Sequence, residues 1–291
     1  VTHHGTEETK KAGRIYLGIL IGTSIGFQLF AIVWTYALTG TLDFTEGGIL
    51  GESANGPLIT VLLLLFMFGV GKAALMPFHR WLPAAMVAPT PVSALLHAVA
   101  VVKAGVFTVI KVIVYLFGLE NLNGSDGSLL LSIIAGATLL ISAVIAFRKD
   151  NLKARLAYST ISQLSYIVLG AAMATGAGIV GASMHIVMHA TAKITLFFCA
   201  GAILVASHKT EISQLNGIGR RMPITMGCFL IGCFGIIGIP PAGGALSKWY
   251  LMMGTAESDY TIFMFVWMGS SLLSAAYLLP IVLRAFFRDP E

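Results

Sequence analysis

Charge is scarce in this chain. Only 11% of its 291 residues are charged, 57% are apolar and the mean hydropathy is +0.87, whereas an ordinary soluble domain carries about 25% charged residues. A surface so poor in charge does not face water, which excludes a soluble globular protein. Short alternating segments are also missing. The apolar runs reach the roughly 20 residues that carry a helix across the hydrocarbon core, which argues against a β-barrel. Cysteine is rare, and Cys199, Cys228 and Cys233 all sit in apolar runs without a spaced framework. They read as small buried hydrophobes, not as disulfides or metal ligands. No initiator Met and no leader of basic stretch, apolar core and small-residue cleavage site opens the chain. Val1 to Lys11 reads as a polar loop, and the sequence is expected to be a fragment of a longer chain.

What is there stands out against that absence. Lys72, Lys103, Lys111, Lys193 and Lys248 lie in stretches too apolar to welcome a cation, and no Asp or Glu accompanies them. An intramembrane charge costs at least about 2.5 kcal/mol, so such residues line wet cavities, relay protons or bind ions. This pattern points to an ion-handling membrane protein.

Eight spans follow from the hydropathy, near 15–38, 58–76, 92–117, 128–147, 158–175, 179–206, 223–253 and 260–284. Under strict alternation the other 13 basic residues (18 less the five above), which lie outside the spans or, for Arg284, at a span end, fall on one side. The other side carries Asp43, Glu46, Glu52, Glu120, Asp126, Glu257 and Asp259 and no base. The positive-inside rule then places both ends of the chain in the cytoplasm. The basic pI near 9.2 reflects this segregation and the buried lysines, so nucleic acid is not a partner.

Two spans should break. The second runs into Lys72, Pro77, Pro83, Pro89 and Pro91; the seventh contains Gly238, Pro240, Pro241, Gly243 and Gly244, then Lys248. Proline removes a backbone donor and clashes with the preceding turn. Broken helices at membrane depth persist where protein or a water cavity satisfies the freed carbonyls, and paired breaks mark transport sites built on inverted repeats.

His185, His189 and Lys193 follow one another at four-residue spacing, so they share roughly one helix face. Two imidazoles and an amine in line make a proton ladder, since histidine gains and loses a proton near neutral pH. A metal reading of the pair lacks a third ligand, and two histidines on one helix cannot bind haem from both faces. No catalytic residue, cofactor or metal is expected. Lys72, Lys103 and Lys248 lie deep in their spans, where burial favours the neutral amine and exchange of its proton. Lys111, two turns from the acidic-side end, is expected to snorkel, and His97 to bridge Lys72 and Lys103. Gly18, Gly22 and Gly26 recur every four residues and suggest close helix packing.

These residues carry a resemblance. Gly71-Lys-Ala-Ala-Leu-Met-Pro-Phe-His-Arg-Trp-Leu-Pro83, Ala88-Pro-Thr-Pro-Val-Ser-Ala-Leu-Leu-His97, Val102-Lys-Ala-Gly-Val106, Leu156-Ala-Tyr-Ser-Thr-Ile-Ser-Gln-Leu-Ser-Tyr166 and Gly238-Ile-Pro-Pro-Ala-Gly-Gly244 resemble, in order, motifs of the antiporter-like subunit family. That family holds the large subunits of Mrp-type sodium/proton antiporters, such as subunits A and D, and the proton-pumping membrane subunits of respiratory complex I. The resemblance covers essentially the whole chain. It implies an all-α polytopic fold of about eight transmembrane helices in one transmembrane domain (1–291). Residues 1–117 would be the last three helices of a first five-helix repeat, and 118–291 a second, inverted repeat. It also implies that Lys72 is the lysine of the first broken helix, Lys103 a bridge, His185, His189 and Lys193 the central relay, and Lys248 the exit lysine. The family pairs its first lysine with a glutamate that this sequence lacks.

The function expected is monovalent cation/proton antiport by a lysine/histidine relay, as one subunit of a complex in the inner (plasma) membrane of a bacterium. Its partners are other membrane subunits, lipid, protons and possibly Na+. The alternatives are a proton-pumping subunit of complex I or a related hydrogenase-type complex, and, remotely, a membrane metalloenzyme.

Overall fold

The computed structural model describes residues 5–51 and 56–289, so Glu52 of the acidic set and residues 1–4 of the opening stretch lie outside the described residues. Helices make up the regular structure among these residues, with one isolated bridge, Asn151 to Glu211. In chain order they are α1 (Glu7–Thr39), α2 (Pro57–Gly69), α3 (Thr90–Phe117), α4 (Asp126–Arg148), α5 (Leu152–Ala172), α6 (Gly176–Ser207), α7 (Pro223–Ile237), α8 (Gly243–Ala256) and α9 (Phe263–Phe287). Counting α7 with α8 as one interrupted segment, these form the eight expected segments. Helices α1, α3, α4, α6 and α9 are each long and apolar enough to cross a membrane.

Two helix starts lie earlier than hydropathy places them. The Thr6 hydroxyl accepts from the Thr9 amide at 3.3 Å, so α1 begins inside the stretch read as a polar loop. Glu7 and Glu8 then sit in the first turn, where the helix dipole favours anions. The Asn151 side chain accepts from the Ala154 amide at 3.0 Å and starts α5 at Leu152, not near 158. Its first turns carry Lys153 and Arg155, whose charges made this part look like loop. Lys153 donates to the Met86 and Ala88 carbonyls at 3.0 and 2.9 Å, and Arg155 to the Lys149 and Tyr277 carbonyls at 2.8 and 2.9 Å.

Helix α5 is buried nearly all round and joins the two halves of the apolar core. It also brings Ser159, Ser162, Gln163, Ser165 and Tyr166 into that core, each 1% exposed or less. Helix α1, by contrast, turns most of its surface outward, including Leu17, Ile21, Phe30 and Val33. A Cβ on Gly18, Gly22 or Gly26 would meet nothing within 4 Å, so this stripe packs against no helix among the described residues. Cys199 and Cys233 are buried, but Cys228 is exposed on the outer face of α7; an apolar run does not say which face looks inward.

Both expected breaks are present. Helix α2 stops at Gly69, followed by a 3₁₀ turn over Gly71–Ala73, Ala74 at φ 56° and a cis Met76-Pro77 bond. The Trp81 indole N–H donates to the Gly71 carbonyl at 3.0 Å, which satisfies one group freed there. Helix α7 stops at Ile237, Gly238 takes φ 87°, the Pro240-Pro241 bond is cis, and Gly243 opens α8. Glycine is required where backbones touch. A Cβ on Gly105 would overlap the Lys72 backbone, and one on Gly244 the Gly235 carbonyl oxygen. These contacts hold α3 against the first break and close the second.

Candidate functional site

The centre of the molecule is a line of titratable side chains from α3 to the second break. Lys103 on α3 is 7% exposed and hydrogen-bonds to Nδ1 of His189 on α6. An ammonium donates and a neutral imidazole accepts, so at that bond the two basic nitrogens share one proton. The His189 ring lies 6.1 Å from that of His185 and nearly parallel to it, at 14°. This is what four-residue spacing on a straight helix produces.

His185 has both nitrogens engaged: Nδ1 with the Ser247 hydroxyl at 2.9 Å and Nε2 with Oε1 of Gln163 at 3.1 Å. That cradle suits either protonation state. A neutral ring donates to Gln163 and accepts from Ser247. A protonated ring donates to both, and Ser247 then turns its own proton to the Gly244 carbonyl, 3.1 Å away. The Tyr166 ring stacks on His185 at 5.4 Å and 23°. Lys248 sits over the Tyr166 ring, its Nζ 4.8 Å from the ring centroid.

Lys248 explains how the second break is tolerated. Its Nζ donates to the Ile236 and Ile237 carbonyls, both at 2.9 Å, and to the Ser271 hydroxyl at 3.0 Å. Those carbonyls are the orphans of the last turn of α7, and a cation there also suits the negative end of the helix dipole. A cavity of about 240 Å³ beside Lys248, lined by Trp249, Met252, Trp267 and Ser271, has room for several waters.

Lys193 is fully buried but does not continue the stack. Its Nζ donates to the Leu156 carbonyl at 3.1 Å and to the Ser159 hydroxyl at 2.8 Å, both on α5. His97 is buried within electrostatic range of Lys193 and His189, packed on the Phe197 ring at 5.2 Å. Its polar neighbour is the Leu82 backbone, and among the described residues no hydrogen bond joins it to Lys72 or Lys103. Lys72 stands apart. It is exposed in a cleft of about 130 Å³ with Leu20, Ser24, Gln28 and Thr108, and no ion pair with it exists among the described residues. The structure therefore brings Lys103, His189, His185 and Lys248 into one line, places Lys193 and His97 beside it, and leaves Lys72 at the first break.

Lys111 is half-buried, with its ammonium 4.0 Å from the Phe44 ring centroid and 5.8 Å from that of Tyr115. Lys111→Ala should remove a cation–π contact of about 0.5–1 kcal/mol, lower the melting temperature slightly and leave proton flux near wild type. Flux loss as complete as in the Lys248 variants would make Lys111 a member of the relay.

Sequence reasoning missed Gln163, Ser247, Tyr166, Ser159 and Ser271. A signal existed for three of them: Ser159, Gln163 and Tyr166 recur at i, i+4 and i+7 along one face of α5.

Comparison with known proteins follows the same lines. NADH-quinone oxidoreductase subunit N of Desulforudis audaxviator is 33% identical over 275 residues, covering 93% of this chain and 54% of that protein. NADH-quinone oxidoreductase subunit L of Rickettsia conorii is 38% identical over 227 residues, 78% of this chain and 33% of that protein. The chain thus spans about half of the one and a third of the other. Among solved structures, the archaeal membrane-bound sulfane sulfur reductase complex contains a chain with TM-score 0.84 and 27% identity, matched over 98% of this chain and 60% of its own. The Mrp complex from Dietzia sp. DQ12-45-1b has a chain with TM-score 0.86 and 24% identity, matched over 98% and 52%, a likeness of fold. The family model described as NADH:quinone oxidoreductase/Mrp antiporter, transmembrane, matches residues 1–274. This chain belongs to that family of membrane subunits.

Proposed function

We propose that this chain carries a proton path across the membrane, as one subunit of a multisubunit complex. The observation that carries the proposal is the succession of neighbouring side chains Lys103, His189, His185, Tyr166 and Lys248, with no carboxylate beside it among the described residues. A proton offered at Lys103 passes to Nδ1 of His189, crosses to His185 through a bridging water, and reaches Lys248 by way of Ser247 or Tyr166. Each step breaks one N–H or O–H bond as it forms the next, and the Gln163 and Ser247 cradle holds His185 in both states. Lys248 releases into the cavity at the second break. Lys193 flanks the line within electrostatic range of Lys103 and His189, His97 lies beside Lys193 and His189, and Lys72 stays apart at the first break.

Two hosts fit. A monovalent cation/proton antiporter of the Mrp kind is favoured by the fold likeness to the Mrp complex and by Lys103. A proton-pumping subunit of a complex I-like assembly is favoured by the 33% identity to subunit N. Residues 1–117 are read as the end of a first five-helix repeat and 118–291 as the inverted second, because the breaks fall in the second and seventh segments. In this reading the membrane is a bacterial plasma membrane and both ends of the described chain face the cytoplasm, a sidedness that the charge segregation supports.

The test is His189→Leu in the full-length parent, purified with its complex and reconstituted in vesicles. Proton flux, followed with a pH-sensitive dye, should drop severalfold with assembly unchanged. Flux at the wild-type rate would contradict the path. Sodium dependence of wild-type flux separates the two hosts: antiport requires it, and a redox-driven pump requires electron donor and quinone instead.

A further inference from the structure

The seam between α5 and α9 is lined with hydroxyl groups that the histidine line does not use. Ser159 and Ser162 on α5 face Ser270, Ser274 and Tyr277 on α9, and all five are wholly buried. Hydroxyls placed this deep are ordinarily paired one to one. Here they are chained. Lys193 donates to Ser159 Oγ at 2.8 Å, Ser159 meets the Tyr277 hydroxyl at 2.8 Å, and Tyr277 meets Ser274 Oγ at 3.2 Å. One turn along α9, Ser270 lies 3.5 Å from Ser162 and interacts with the Tyr166 hydroxyl. Tyr166 in turn meets Ser271 Oγ at 3.2 Å, and Ser271 accepts from Lys248.

From this arrangement we infer that Tyr277, with Ser159 and Ser274, forms a second proton line that joins Lys193 to Lys248 without passing through either histidine. The inference rests on the relay reading above and deepens it: two lines, one from Lys103 and one from Lys193, converge on the same release lysine. A hydroxyl is donor and acceptor at once. Lys193 loses an N–H proton to Ser159, Ser159 passes its own to Tyr277, Tyr277 passes its own to Ser274, and the shift continues until a neutral Lys248 gains an N–H. No hydroxyl gains net charge once the shift is complete, and only the two amines change state. The step from Ser274 to Ser270 spans about one helical turn, roughly 5.4 Å, which one bridging water covers. Arg155 supports the line from outside by donating to the Tyr277 carbonyl at 2.9 Å, which pins α9 to α5.

Tyr277→Phe removes one hydroxyl and keeps the ring. A structural role for that hydroxyl would lower stability and leave transport per assembled complex unchanged. Thr255→Val supplies that comparison, because it breaks a buried cross-helix bond, Trp267 Nε1 to Thr255 Oγ1 at 2.8 Å, outside both lines. In the reconstituted parent complex, Tyr277→Phe should slow proton flux roughly tenfold, less than the hundredfold or more expected where a proton-transfer group has no parallel route. It should also change the ratio of rates in H2O and D2O, while Thr255→Val lowers only the melting temperature. Wild-type flux and isotope ratio in Tyr277→Phe, with flux lost in Lys193→Ala and Lys248→Ala, would overturn the second line and leave the relay standing. Wild-type flux in the two lysine variants would overturn the relay itself.

Discussion

Lys248→Ala in the full-length parent should abolish proton transport while the subunit still assembles with its partners. The amine is the common end of both side-chain lines, and the cavity of about 240 Å³ opens beside it. Among the described residues its hydrogen-bonded and ring neighbours Ser271 and Tyr166 offer hydroxyls, far weaker bases than an amine. The variant also strips the Ile236 and Ile237 carbonyls of their shared donor. An unsatisfied buried carbonyl costs about 1–3 kcal/mol, so the melting temperature should fall as well. Water entering from the adjacent cavity limits that loss, which is why assembly survives. Subunit content of the purified complex and dye-monitored flux in vesicles together decide the outcome: an assembled complex with wild-type flux removes Lys248 from the path.

Lys193→Ala is expected to have an effect of similar size for a different reason: the amine begins the second line, and its charge also acts on Lys103 and His189 in the first. Lys193 is wholly buried against the Leu156 carbonyl and the Ser159 hydroxyl. Truncation deletes the amine and also leaves a void among packed side chains, and large-to-small changes at such sites cost about 2–5 kcal/mol. Loss of flux in Lys193→Ala alone therefore mixes chemistry with packing. Lys193→Met keeps a long unbranched side chain that fills the space and has no proton to give. Flux should be lost in both, with the melting temperature largely restored in Lys193→Met. Recovery of flux in Lys193→Met would assign Lys193 a packing role.

Much of this architecture is legible from the residues, because bilayer chemistry leaves few alternatives. Apolar length sets the segments, and proline with glycine sets the breaks at Pro77 and at Gly238 to Gly244. The four-residue spacing of His185 and His189 predicts the parallel rings found at 6.1 Å. The same spacing misleads for Lys193. Its long, flexible stem reaches the Leu156 carbonyl and Ser159 on α5, so a shared helix face does not place its amine in line with the imidazoles. Hydrogen bonds across helices leave no local signature, which is why Ser247, Ser271 and Tyr277 escape a linear reading. The start of α5 is obscured because Lys153 and Arg155 look like loop residues until the carbonyls they cap come into view. Lys72 shows the opposite limit. Its apolar surroundings in sequence imply burial, but the 3₁₀ turn after Gly69 points it into an open cleft.

Whether Lys248 acts by releasing its proton or only by being positive is decided by Lys248→Arg. Arginine keeps the charge and offers five donors to the Ile236 and Ile237 carbonyls, but it does not deprotonate in proteins. A relay predicts a complex that assembles and melts near the wild-type temperature yet moves no protons in vesicles. Proton flux at the wild-type rate from that complex would mean that fixed charge is enough, and that protons cross this subunit without passing through the amine.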